Sequence, residues 1–310
     1  MPYLLAHDES IPRGLRRIAR EEIDSAIGNL RVRQLSKRDM AVHEARKSIK
    51  KLRGVVRLLM PELGAAGPEE NRVLRDLGRS LAEVRDAAAM IETVDLLGKR
   101  FHADPAVARL AGVRTEFVKR RRNARLHADS TSAAEDGIMT LRRLRRRLNT
   151  WNIGSDFCSI APGLKRTYRR GRRALARARK DPNARNLHDL RKRVKDYWYQ
   201  VRILESLWTA PDVSPEKALK DLQEDLGDAH NLAVLREKAV ATSDVVVDLI
   251  DNLEKELRVK SLAAAKEIYA EKTGVHVAKL TALWIAWRGE TERKSVKPVI
   301  SVPSRASSVA

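Results

Sequence analysis

The sequence predicts an all-α fold of two related helical bundles, placed about a pseudo-twofold axis around a basic central pore or groove. Three observations carry that expectation. Apolar residues recur at three- and four-residue spacing along almost the whole chain. Glycines and prolines are few and gather at breaks. One basic motif occurs twice in a fixed register.

Taken in order, the breaks fall at Pro61 to Pro68, Pro105, Gly137, Gly154 to Gly163, Asp181-Pro182, Pro211 to Pro215 and Gly274. Between them the helical period is clearest over residues 42–60, 70–97, 185–208, 216–240 and 245–270. Val245-Val246-Val247 is β-prone, but it sits inside a run that continues with helical period. This spacing predicts five helices before residue 151 and five after residue 161. Ala-Asp-Ser-Thr-Ser-Ala-Ala-Glu-Asp over 128–136 reads as an exposed loop. Residues 151–163, with Asn152, Gly154, Ser155, Pro162 and Gly163, read as the junction between halves. The expected units are therefore 8–150 and 151–289, followed by a mobile Ser/Val/Lys/Pro-rich tail over 290–310.

The register of the duplication supports this division. His43-Glu-Ala-Arg-Lys-Ser-Ile-Lys aligns with His188-Asp-Leu-Arg-Lys-Arg-Val-Lys, 145 positions on. The same offset pairs Arg57 with Arg202 and Leu59 with Leu204. It continues without a gap into the next helix, where Leu74-Arg75-Asp76-Leu77 meets Leu219-Lys220-Asp221-Leu222 and Arg85 meets His230. A register shared across two helices and their loop reads as a duplicated unit. Two such units fused in one chain are expected to pack as an isologous dimer would.

Composition narrows the function. Lys and Arg number 62 against 41 Asp and Glu, a formal net charge of +21. Such an excess points to a polyanionic partner, with nucleic acid, an acidic membrane surface or an inorganic polyanion all open. One cysteine, Cys158, excludes an intramolecular disulfide framework and a cysteine zinc cluster, and it fits a reducing compartment. The N-terminal segment has only a short apolar run and no basic flank, unlike a signal peptide. No stretch approaches the roughly 20 apolar residues of a membrane span. The expected location is cytoplasmic, with no membrane partner.

The duplicated motif says more than the total charge. At about 100° per residue, Lys47, Lys50, Arg57, Arg46 and Arg53 fall within roughly 80° of His43. Ala45, Ile49, Leu52, Val55, Val56 and Leu59 take the opposite face. In the second copy His188, Arg191, Lys192, Lys195 and Arg202 share one face, against Leu190, Val194, Tyr197, Val201 and Leu204. An ordinary solvated helix face mixes signs, because i,i+4 ion pairs stabilise it. This face is almost free of acids, and its cations recur in both copies. Arg offers a bidentate fork, Lys a mobile charge, and His a donor that charges beside anions. The cations span about 21 Å of helix, which suits a chain of phosphates better than one small metabolite. Other basic clusters, Arg120 to Arg122 with Arg125 and Arg142 to Arg147, read as solvated amphipathic surface.

These residues are familiar as a set. His43-x-x-Arg-Lys-x-x-Lys-x-x-Arg, His188-x-x-Arg-Lys-x-Val-Lys, Leu226-Gly-Asp-Ala-His-Asn-Leu and Tyr168-Arg-Arg-Gly-Arg resemble the CHAD (conserved histidine α-helical domain) family over about residues 8–289. The resemblance implies an all-helical fold with a basic central pore, binding of inorganic polyphosphate, and association with polyphosphate granules. It also implies a triphosphate-tunnel (CYTH) or other polyphosphate-metabolism enzyme as partner. Carried over by residue, it implies polyphosphate contacts from His43, Arg46, Lys47, Lys50, Arg57, His188, Arg191, Lys192, Lys195 and Arg202. Arg85 and His230 join them from the following helix of each unit, and Tyr168, Arg169, Arg170 and Arg173 from the helix before His188. The pattern is not kept throughout. Asn231 stands where the family more often has Asp, Asp196 matches Lys51, and Trp198 matches Arg53, so the two copies are not expected to bind alike.

No cofactor, metal or catalytic apparatus is expected. The chain has no Walker-type loop, no GxGxxG after a strand and no HExxH. Glu254-x-Glu256-x-Arg258 is superficially like the ExExK of triphosphate-tunnel enzymes. That motif needs strand alternation, and this stretch has helical period. Two other functions stay open: nucleic-acid binding, against which only 4% of residues are aromatic, and hydrolysis of polyphosphate.

Overall fold

The computed structural model describes residues 3–81, 83–127, 130–208, 214–239 and 244–295. Among these residues the regular structure is entirely helical: α1 (Ile11–Leu30), α2 (Leu35–Leu58), α3 (Ala66–Ser80), α4 (Glu83–Arg100), α5 (Leu110–His127), α6 (Ser130–Arg147), α7 (Ala161–Lys180), α8 (Ala184–Ile203), α9 (Glu216–Ala239), α10 (Asp244–Ile268) and α11 (Thr273–Ser295). Local chemistry sets several starts. Ser10 Oγ accepts from the Arg13 amide and Pro12 lies in the first turn of α1. Asn183, just after Asp181-Pro182, accepts from the Asn186 amide at 2.9 Å and starts α8.

Two expectations change. Residues 130–136, read as loop, are the opening turns of α6. Ala134, Ile138, Leu141, Leu144 and Leu148 form a buried ridge that runs straight through Gly137. Gly137 is a packing position rather than a break, since a Cβ there would lie 2.9 Å from Leu77 Cδ1 and 3.2 Å from Leu30 Cδ1. The first part of the chain thus has six helices before residue 151, one more than expected. At the other end α11 continues to Ser295, through the start of the expected tail. Residues 296–310 lie outside the described residues, as do 128–129 of the expected loop.

The buried apolar residues form three clusters. One unites α1, α2, α3 and α6 with Trp151, Ile153 and Phe157 of the junction, the base of α8, and Trp284 and Trp287 of α11. A second joins Met90, Val94 and Leu97 of α4 and Val113 and Phe117 of α5 to α9 and α10. The third holds α7, α8, α9 and the end of α10 around Tyr168, Tyr197 and Tyr269. Helices from before residue 150 therefore share cores with helices from after it. Arg288 pins α11 to the N-terminal segment. It lies over the Trp284 and Trp287 rings at 4.7 and 4.9 Å and donates to the carbonyls of His7 and Glu9. No helix of the described residues is long and apolar enough to cross a membrane.

A cationic groove between α2 and α8

The basic motifs lie on α2 and α8, and these helices pack directly on one another. On α2 the apolar set Ala45, Ile49, Leu52, Val55, Val56 and Leu59 is at most 1% exposed, which turns the basic set away from the core. Gly54 permits the close approach to α8: a Cβ there would stand 2.8 Å from Cβ of Tyr199. Gly163 does the same for α7, where an added Cβ would meet the Leu58 carbonyl oxygen at 1.8 Å.

These approaches leave a groove of about 840 Å³ walled by α2, α3, α7 and α8. Arg46, Lys50, Arg53 and Arg57 line it from α2, and His188, Lys192, Arg193 and Lys195 from α8. Arg72, Arg75 and Arg79 enter from α3, and Arg166 and Arg170 from α7. Against these cations the described lining residues include a single acid, Asp196. Asp196 is largely buried and accepts from Arg57 of α2 and from Arg193 at 3.1 Å, tying the two helices together at the groove base. The α3 arginines are partly balanced from outside the groove. Asp76 pairs with Arg75 at 2.8 Å and Glu69 with Arg72 at 2.6 Å.

Burial and crowding by like charge leave marks on the titrating groups. Burial first, then Arg191 and Arg46, push Lys195 down to about 8. Burial and the neighbouring Arg57 lower Arg53 to about 10. Burial, helped by His230, Lys192 and Arg191, lowers His188 to about 4, so its imidazole is neutral near pH 7. The His188 and His230 rings lie 4.0 Å apart at 31°, and His188 Nδ1 is buried without a hydrogen-bond partner among the described residues. A cluster of charges in this state gains from any anion that enters, because the anion relieves both repulsion and lost hydration.

Of the residues singled out in the sequence, Arg46, Lys50, Arg57, Arg170, His188, Lys192 and Lys195 line the groove together. The others are elsewhere. Lys47 pairs with Glu44 at 3.0 Å. Arg191 lies against Gly227, outside the lining, with its Nε buried and without a hydrogen-bond partner among the described residues. Arg202 rests over the rings of Tyr3 and Trp198 at 5.4 and 5.0 Å, so the Trp at 198 has turned this arginine into a packing residue. Tyr168 is fully buried, donates to the Ile268 and Glu271 carbonyls, and stacks on His276 at 3.9 Å. Arg169 and Arg173 are exposed on the outer side of α7. His43 and His230 are half-buried and are not among the lining residues. The side chain of Arg85 lies outside the described residues.

Sequence reasoning passed over Arg72, Arg75, Arg79, Arg166 and Arg193. The i, i+3, i+7 spacing of the α3 arginines does place them on one face, and that signal was available. Arg193 is masked by its position between the two basic motif residues Lys192 and Lys195.

Fold and site together define an all-helical protein with an electropositive cleft. The CHAD domain model matches residues 17–240, and the chain belongs to that family. It is similar in fold to the crystal structure of the CHAD domain from the plant Ricinus communis, with a TM-score of 0.55 and 16% identity over 87% of this chain and 94% of that one. No curated protein matches the sequence.

Proposed function

We propose that the groove binds inorganic polyphosphate and holds it without chemical turnover. The observation that carries this reading is the lining: among the described residues, cations from four helices stand around one acid in a cleft of about 840 Å³. Arg46 to Arg57 alone extend over roughly 16 Å of α2. Guanidinium forks and ammonium groups suit phosphate oxygens, and counterion release drives such binding. Membership of the CHAD family supports the same ligand. The groove offers little to a nucleobase: among the described lining residues the one Phe, Tyr or Trp, Tyr199, is 5% exposed and set edge-on to Tyr3. In the cell the protein would sit on polyphosphate granules in the cytoplasm, beside a CYTH or other polyphosphate-metabolism enzyme.

A competition experiment tests this. Labelled long-chain polyphosphate is bound to the protein and challenged with single-stranded DNA of equal charge. The reading expects weak displacement by DNA and full displacement by unlabelled polyphosphate. Equal displacement by both would move the assignment to nucleic acid. Release of orthophosphate with Mg²⁺ present would make the protein an enzyme.

A further inference from the structure

Helix α7 is charged beyond what the groove uses. It carries nine Lys and Arg and no acid. None of the nine forms an ion pair with another described residue, whereas the basic helix α6 is balanced by Arg145–Asp24 and Arg147–Glu70. Like charges at i,i+4 destabilise a helix by a few tenths of a kcal/mol per pair, so such a surface is costly without a counter-anion.

The geometry gives the charge a direction. Arg166 and Arg170 form the α7 rim of the groove. With Lys165 at zero, Arg169 falls near 40°, Arg173 near 80°, Arg166 near 100°, Arg177 near 120° and Arg170 near 140°. The buried residues Gly163, Thr167, Gly171 and Ala174 occupy the next sector. The exposed ridge Lys165, Arg169, Arg173, Arg177 is therefore continuous with the rim, one cation about every 6 Å along the axis.

We infer that this outer ridge of α7 is a second binding segment, which takes the length of polyphosphate chain that overhangs the groove. The inference rests on the groove being a polyphosphate site. It makes the protein a reader of chain length: a short chain occupies the groove only, and a long one engages groove and ridge. The ridge favours the same ligand over a separate partner because one helix supplies both surfaces without a break.

The test uses the full chain carrying Lys165→Gln, Arg169→Gln and Arg173→Gln, titrated with tripolyphosphate and with long-chain polyphosphate. The expected result is unchanged tripolyphosphate affinity, about tenfold weaker long-chain affinity, and a salt slope shallower by about 2, at ~0.7 per lost charge. The variant Arg169→Lys with Arg173→Lys keeps charge and should bind the long chain as the parent does. Unchanged long-chain binding in the Gln variant, equal weakening of both chains, or loss in the Lys variant overturns the ridge. Loss of single-stranded DNA binding with polyphosphate binding intact gives the ridge to nucleic acid and overturns it too. A parent protein that binds neither polyphosphate refutes the groove reading itself, a result distinct from failure of the ridge.

Discussion

Lys195 connects burial to function at the scale of one residue. Its amine titrates near 8 in the fold, against about 10.4 for a free lysine. Between those values the unfolded chain binds the proton and the folded chain does not, so Lys195 makes stability rise with pH across that window. Ligand binding has the opposite dependence, because an anion needs the charged amine. Polyphosphate affinity is expected to fall about tenfold from pH 7 to pH 9, by proton linkage through a group near 8. Lys195→Gln should flatten the profile, as calorimetry at the two pH values would show. Asp196 is the other informative residue. Asp196→Asn leaves Arg57 and Arg193 without their carboxylate. It is expected to cost about 3 kcal/mol in chemical denaturation, with polyphosphate restoring part of the loss. Individual residues were only partly legible in the sequence. Helical phase alone puts Lys50 and Lys195 on the basic faces, and both line the groove, but the stacking of Arg202 on Tyr3 depends on a residue 199 positions away.

Between elements, small residues decide how near the groove walls stand. Gly163→Ala would drive a methyl group into the Leu58 carbonyl and is expected to cost about 3 kcal/mol or more, or to prevent folding, read by melting temperature and expression. Gly54→Ala pushes α2 from Tyr199 and should cost about 1–3 kcal/mol while weakening polyphosphate binding. The helices themselves were legible because their apolar period is strong, as on α2 and α8. Helix α6 was not read to its start because Gly137 and the polar run before it imitate a loop. The reason for that glycine, contact with Leu77 and Leu30, is tertiary. The pairing of α4 and α5 with α9 and α10 was hidden for the same reason.

For the molecule as a whole, the net charge of +21 would attract any polyanion over long range. What distinguishes the groove is that its cations come from helices far apart in sequence and, among the described residues, share one acid. The duplicated motif announced two of those helices, and α3 and α7 became walls only through packing. The most direct measurement is the binding isotherm of long-chain polyphosphate to the parent protein and to Lys50→Glu combined with Lys195→Glu, at one pH and salt concentration. Charge reversal at two groove positions leaves most of the surface excess in place, so the account predicts at least a hundredfold loss of affinity with the melting temperature nearly kept. Undiminished binding by the double variant would contradict it and return the interaction to general surface charge.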